Sequence, residues 1–289
     1  MSTEVVRSFI EGVYLASSAL KPGAFHRFRI DPDSRYVFSN AVSVTSHIIQ
    51  GYDMGESVRH GERSIDNIEI GRLLARAMRE SYRWNSGHVY PGIIVPLIIY
   101  SIALGHSSVD SILEDIGKFK RSLELILGIR SWREIKQFTD SLRAINRIDM
   151  YDHLSQTGYT QLAGIEGAIT FNDIFSSLAS KWTSFLVLDI HSYGLTHKVS
   201  RLNQYFREYE DSELAITRLY IDTIYSHLPE WAKNTIDKIL KEKQLGEKEG
   251  IKKLFELDAR LRKSGYIFNN YAEELCVLTA IAVYEGFRP

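Results

Sequence analysis

The chain has 289 residues, 44% of them hydrophobic and 25% charged, which is the composition of an ordinary globular protein and excludes disordered and fibrous classes. Its 35 basic and 36 acidic residues leave a net charge of -1, so no overall field would attract nucleic acid or an anionic membrane. The single cysteine, Cys276, excludes an internal disulfide framework and favours a reducing, cytoplasmic location.

Neither a signal peptide nor a membrane span is predicted. The first residues lack a basic segment, and Arg7 and Glu11 interrupt their apolar run. The longest apolar run, Val89 to Leu104, is short for a bilayer and contains two prolines. We expect this run to be a buried helix.

Apolar residues recur at helical spacing along nearly the whole chain. The first helix is predicted from Ser2 or Thr3, either of which could cap it, to the Pro22-Gly23 pair that ends it. Ser34 can cap the second, which continues to about Gln50. Further helical patterns lie at 65–78, 89–104, 109–126, 132–145, 170–192, 212–226, 229–243, 247–264 and 270–286.

Two features qualify this pattern. The segment SFLVLDI, within 170–192, could instead be a buried strand, and the irregular stretches 51–63 and 150–169 are interpreted as long loops. No linker, internal repeat or hairpin turn is found. We therefore predict an all-α fold, a single compact multi-helix domain that spans residues 1–289.

The loop between the first two helices has an unusual composition. It lies within Leu20 to Val42, LKPGAFHRFRIDPDSRYVFSNAV, and concentrates Lys, His, Arg and Asp side chains. Such a loop is suited to anion binding or to acid–base chemistry. The Walker loop, the dinucleotide fingerprint, HExxH and GxSxG are all absent, so any nucleotide would be bound outside the common folds.

The loop resembles the KPG-led loop of the triphosphoribosyl-dephospho-coenzyme-A synthase family, and the chain looks like a diverged archaeal-type member. The matching residues are Lys21, Pro22, Gly23, His26, Arg27, Asp31, Asp33, Phe38, Ser39, Ala41 and Val42.

Two further segments resemble the family in part. In Trp84 to Leu97, Gly92 and the apolar helix align, but His88 stands where the family has Asn and Tyr90 where it has His. In Leu257 to Gly286 the frame is kept by Asp258, Leu261, Ala272 and Leu275. There Phe268-Asn269-Asn270 replaces a Pro-Gly turn, and Glu274 stands near the family's single Asp.

The resemblance implies a transferase that moves the triphosphoribosyl group of ATP to a ribose hydroxyl of a dephospho-coenzyme-A-like acceptor and releases adenine. Breaking the bond at ribose C1′ builds positive charge on the sugar, which a nearby carboxylate would stabilise. A base must accept the proton of the attacking hydroxyl, and cations, with Mg²⁺ among them, must hold the triphosphate.

The resemblance also implies roles for individual residues. The catalytic candidates are His26, Asp31, Asp33 and Glu274, and Asp31 and Asp33 are the expected Mg²⁺ ligands. The nucleotide-binding candidates are Lys21, Gly23, Arg27, Arg29, His88, Tyr90 and Gly92.

Purely structural roles remain open for several of these candidates. Asp31 and Asp33 could start a turn around Pro32 and cap the next helix, and His88 and Tyr90 could simply close a loop by hydrogen bonding.

Three functions stay open, with the transferase as the favoured one. The alternatives are a catalytically altered or inactive nucleotide- or phosphate-binding helical protein, and a helical interaction protein. Retention of Lys21, His26 and Arg27 favours a working anion site, whereas the changes at Tyr90 and Phe268 favour altered chemistry. The oligomeric state is left open.

Overall fold

The computed structural model describes residues 2–28, 33–189 and 194–287. No strand occurs in these residues, so the predicted all-α fold is confirmed. The α-helices are α1 Ser2–Ser18, α2 Asp33–Ser43, α3 Thr45–Arg59, α4 Ile70–Trp84, α5 Pro91–Ser107, α6 Ile116–Leu127, α7 Trp132–Ala144, α8 Ile148–Gln156, α9 Tyr159–Leu162, α10 Phe171–Ala179, α11 Gly194–Tyr209, α12 Ser212–Ile224, α13 Glu230–Lys241, α14 Lys248–Lys263 and α15 Asn269–Tyr284. Short 3₁₀ helices lie at Ile65–Asn67, Thr183–Leu188 and Tyr225–His227.

Helix α5 is the centre of the hydrophobic core. All of its residues except His106 are buried, because the sequence of this helix is apolar on every face. Helix α3 packs along it, α15 also contacts it, and α1 packs against α15. Among the described helices none combines the length and apolarity needed to cross a bilayer. The contact between α15 and α5 fixes the starts of these two helices relative to each other.

The prediction of a loop at 51–63 is wrong for most of that stretch, because α3 continues to Arg59. Its buried face combines the large side chains of Ile48 and Tyr52 with Gly51 and Gly55. A Cβ on Gly55 would lie only 2.1 Å from the carbonyl oxygen of Ile102 in α5. Glycine therefore allows the two helix backbones to approach closely here.

Other boundaries also differ from the predictions. The helix expected at 109–126 begins only at Ile116, since the carboxylate of Glu285 accepts hydrogen bonds from Ser111 Oγ at 2.6 Å and from the backbone N–H of Ile112 at 2.5 Å. The expected loop at 150–169 is partly helical, in α8 and α9. The ambiguous SFLVLDI segment forms most of the 3₁₀ helix Thr183–Leu188 rather than a strand.

Candidate functional site

The loop after α1 is attached to the start of α15, which lies more than two hundred residues away in sequence. The N–H of Gly23 donates to Asp258 Oδ1 at 2.7 Å, and the carbonyl oxygen of Gly23 accepts from the N–H of Phe268 at 2.8 Å. The N–H of Phe25 donates to Asn269 Oδ1 at 3.2 Å. Two of the three segments that resemble the transferase family are thus in direct contact.

Asp258 is the buried carboxylate that organises this loop. Besides Gly23 it accepts a hydrogen bond from Arg262 Nε at 2.9 Å, and the same guanidinium donates to the carbonyl oxygen of Ala24. Burial alone would raise the pKa of the Asp258 carboxyl, but His26, the Gly23 N–H and Arg262 together hold that pKa well below its usual range. Asp258 is therefore ionised throughout the neutral range.

His26 lies beside this carboxylate in an aromatic pocket. Its Nε2 is 3.6 Å from Asp258 Oδ2, a long polar contact, and its ring is 6.2 Å from those of Phe28 and Phe255, centroid to centroid. Burial lowers the pKa of His26, although Asp258 opposes the shift. The imidazole is thus neutral at pH 7, so one of its ring nitrogens can accept a proton.

Lys21 is fully buried at the end of α1. Its Nζ donates to the carbonyl oxygen of Ala19 at 2.9 Å and to that of Ala16. These are carbonyl groups that the end of a helix leaves without intrahelical partners. Burial lowers the pKa of Lys21 to about 8, so the ammonium is still mostly charged at pH 7. In this structure Lys21 contacts protein carbonyls, not an open phosphate-binding surface.

Asn40 of α2 holds the loop that leads into α5. Its Nδ2 donates to the carbonyl oxygen of His88 at 2.9 Å, and its Oδ1 accepts from the N–H of Tyr90 at 3.0 Å. The exposed His88 ring stacks on Tyr36 with centroids 4.1 Å apart. The Tyr90 ring meets Phe25 at 6.4 Å, centroid to centroid. This contact brings the third resembling segment to the loop after α1.

The first turn of α5 faces two buried oxygens from other elements. A Cβ on Gly92 would lie 2.0 Å from Ser184 Oγ, in the 3₁₀ helix, and 2.4 Å from Glu273 Oε2, on α15. Ser184 is fully buried, and its hydroxyl has no hydrogen-bond partner among the described residues. A buried hydroxyl left in this way is a group that a ligand could satisfy.

Gly92→Ala is expected to destabilise the protein by about 1–3 kcal/mol, because the added methyl overlaps both oxygens and neither belongs to a freely moving side chain. The measurement is the free energy of unfolding in urea. The matched control is Gly117→Ala in α6, where no atom lies within 4 Å and a gain of about 0.4–1 kcal/mol is expected. Equal effects of the two substitutions would contradict the close packing at Gly92.

Glu274, next along α15, is a second buried carboxyl. Lys198 Nζ of α11 donates to its Oε1, and the lysine side chain is 28% exposed. Burial raises the pKa of Glu274, although Lys198 opposes the shift. A buried carboxyl with a raised pKa is a stronger base than an exposed one, which suits it to proton transfer.

The structure brings many of the predicted residues together around the starts of α5 and α15. The loop carries Lys21, Gly23 and His26, the start of α5 carries Tyr90 and Gly92, and α15 carries Glu274. Arg27 is at the edge, where its Nη1 pairs with Glu213 Oε1 at 2.6 Å. The exposed His88 ring lies against Tyr36.

Three of the predicted site residues lie wholly or partly outside the described residues. Arg29 and Asp31 lie outside the described residues, as does the side chain of Asp33, whose backbone begins α2. Within the described part of the chain, no group of three or more His, Cys, Asp or Glu residues could hold a metal ion. The expected Mg²⁺ ligands therefore stay predictions.

Sequence reasoning missed several residues of this region. Asp258 was named only as part of the resembling frame, and its ion pair with Arg262 could have been predicted, because a spacing of four places both on one face of a helix. Asn40 lies in the resembling loop but was given no role, and Ser184 and Lys198 stand in no motif, so only the fold brings them to the site.

No protein-family model, curated protein or solved structure matches this chain.

Proposed function

We propose that this chain is a transferase of the triphosphoribosyl-dephospho-coenzyme-A synthase type, which acts at ribose C1′ of ATP. The observation that carries the proposal is the contact between the three resembling segments. Gly23 is bonded to Asp258 and Phe268, and Phe25 contacts both Asn269 and Tyr90. These contacts place the loop after α1 beside the starts of α5 and α15, where Gly92, Glu273 and Ser184 lie close together.

The buried carboxyls of α15 supply the chemistry that such a transfer requires. In the reaction the bond from C1′ to the adenine nitrogen breaks, and its electron pair leaves with adenine, which takes up a proton. The acceptor's ribose oxygen bonds to C1′ and gives its proton to a base. Glu274, with its raised pKa, is proposed as that base, and Glu273 as the carboxylate that stabilises the positive sugar.

The triphosphate needs positive groups near the same place. The starts of α5 and α15 carry the positive ends of two helix dipoles. Ser184 offers a buried hydroxyl, and Lys198 a partly exposed ammonium. Mg²⁺ would accompany the triphosphate, and Asp31 and Asp33 are the ligands that the family resemblance implies for it.

The test is incubation with ATP, Mg²⁺ and dephospho-coenzyme A, with chromatography of the products. We expect free adenine and a product that contains the triphosphoribosyl group, together with a rise in Tm that follows the ATP concentration by mass action. A rise in Tm without adenine release would favour a nucleotide-binding protein that has lost catalysis. If millimolar ATP produces neither adenine release nor a rise in Tm, the result would favour a helical interaction protein.

A further inference from the structure

One face of α4 carries a row of arginines. Arg72, Arg76, Arg79 and Arg83 are all exposed and follow one another at spacings of four, three and four, which places them along one side of the helix. In a chain with a net charge of -1 this row is a local positive surface.

A cavity of about 680 Å³ lies between this row and α3. Arg76, Arg79 and Arg83 line it together with Trp84, whose side chain is 68% exposed. Its volume is in the range of small-molecule sites. Helix α3 contributes His47 and polar side chains to the opposite wall. The walls thus combine positive charge with one open aromatic face.

The guanidinium groups of this cavity are available to a ligand. Among the described residues, neither Arg76 nor Arg83 makes a hydrogen bond or ion pair, although the charge of Arg76 acts on His47. Arg79 uses only its Nε, which donates to the carbonyl oxygen of Ala75 at 3.1 Å. Each side chain therefore keeps the pair of terminal donors that binds phosphate in two-point contacts.

The nearby negative charge does not cancel them. The single carboxylate on the walls, Glu80, faces His47, with 3.6 Å between Oε2 and Nε2. Burial lowers the pKa of His47, opposed by Glu80 and assisted by Arg76, so this imidazole is neutral at pH 7. Three guanidinium groups thus outnumber the one carboxylate on the walls of this cavity, which lies on α4 among them.

We infer that this groove, defined by Arg76, Arg79, Arg83 and Trp84, binds a nucleotide-type ligand, with its phosphates on the arginines and its base on Trp84. An indole face stacks on any base, and guanidinium groups recognise phosphate oxygens. A single nucleic-acid strand would need a series of aromatic platforms, and Trp84 is the one aromatic residue on the walls of this cavity. The ligand is therefore of nucleotide size.

The site is separate from the one proposed for catalysis. Its walls belong to α3 and α4, whereas the catalytic proposal uses the loop after α1 and the starts of α5 and α15. The groove does not depend on that proposal, and ATP could be bound here even if no transfer takes place.

The test uses the fluorescence of Trp84, taken as the difference between the unmodified protein and Trp84→Phe. We expect ATP to quench this emission by stacking. Inorganic tripolyphosphate, which has no base, should hardly quench it but should displace ATP and restore the emission. Because the signal comes from Trp84 alone, nucleotide bound elsewhere does not contribute to it, and failure here leaves the transferase proposal untouched.

The double variant Arg76→Ala/Arg83→Ala should weaken ATP binding about 100-fold, roughly tenfold for each guanidinium lost. The control is Arg63→Ala/Arg130→Ala, which removes the same charge from exposed positions elsewhere and should change the affinity by about twofold at most. The inference would be overturned if ATP did not quench the emission of Trp84, or if the two double variants weakened ATP binding equally. It would also be overturned if tripolyphosphate did not displace ATP.

Discussion

Asp258→Ala is expected to lower the free energy of unfolding by about 3–5 kcal/mol, one of the largest effects of any single substitution in this chain. The substitution leaves the buried N–H of Gly23 without its acceptor and the Arg262 guanidinium without its carboxylate. It also releases the loop after α1 from α14. Urea unfolding followed by circular dichroism measures the loss.

The control is Asp237→Ala, which removes an exposed carboxylate that accepts from the Tyr225 hydroxyl at 2.8 Å and should cost about 1 kcal/mol or less. A loss for Asp258→Ala no larger than for this control would show that Asp258 does not hold the loop.

The contribution of Asp258 should also depend on pH. Because its folded-state pKa is depressed, its ionised form stabilises the fold at every pH above the unfolded-state value of about 4. That stability is lost as the pH falls further, through the folded-state pKa. The difference in unfolding free energy between the protein and Asp258→Asn should therefore stay constant from about pH 7 to 8 and shrink below about pH 4, with a smaller change where His26 titrates, since Asp258 raises the pKa of that imidazole. A constant difference down to the acid limit would contradict the depressed pKa.

Amphipathic helices were the part of the fold that sequence could predict. Helices such as α7 and α13 bury one apolar stripe, so their periodicity alone identifies them. Helix α3 has a weaker stripe, because Gly51 and Gly55 take buried positions beside Ile48 and Tyr52 where larger apolar residues would mark the period. Helix α11 was missed as well, although its buried residues Val199, Leu202 and Tyr205 recur every three positions, a helical spacing that could have identified it.

The candidate site was predictable only where it follows the chain. Lys21, Gly23 and His26 stand in one loop, and their order carries the resemblance. Periodicity could not show that Lys21 turns inward to the end of α1. Nor could it separate Glu273 from Glu274: neighbouring helical residues differ in direction by about 100°, so one faces Ser184 and the other Lys198. Such differences are set by packing between elements far apart in sequence.

Glu274→Gln should reduce adenine release by about 10²–10⁴-fold, the usual contribution of a positioned acid or base, if the proposed transfer takes place. The amide keeps the shape of the side chain but cannot accept the proton of the attacking hydroxyl. For the unmodified protein, the rate should fall as the pH drops through the raised pKa of Glu274, since the protonated carboxyl is no base.

The same substitution should leave the free energy of unfolding within about 1 kcal/mol of its original value, or raise it. Because burial raises the pKa of Glu274, the folded protein carries a cost for the ionised carboxyl at neutral pH, and glutamine does not. The partly exposed Lys198 can regain water when its partner is gone. Unfolding in urea and adenine release, measured on one preparation, therefore separate catalysis from folding.

Glu242→Gln removes the carboxylate of a more exposed pair with Lys253 and should change neither quantity. Unaltered adenine release by Glu274→Gln would exclude Glu274 as the base, and a loss of release that merely followed a loss of folded protein would assign it a structural role.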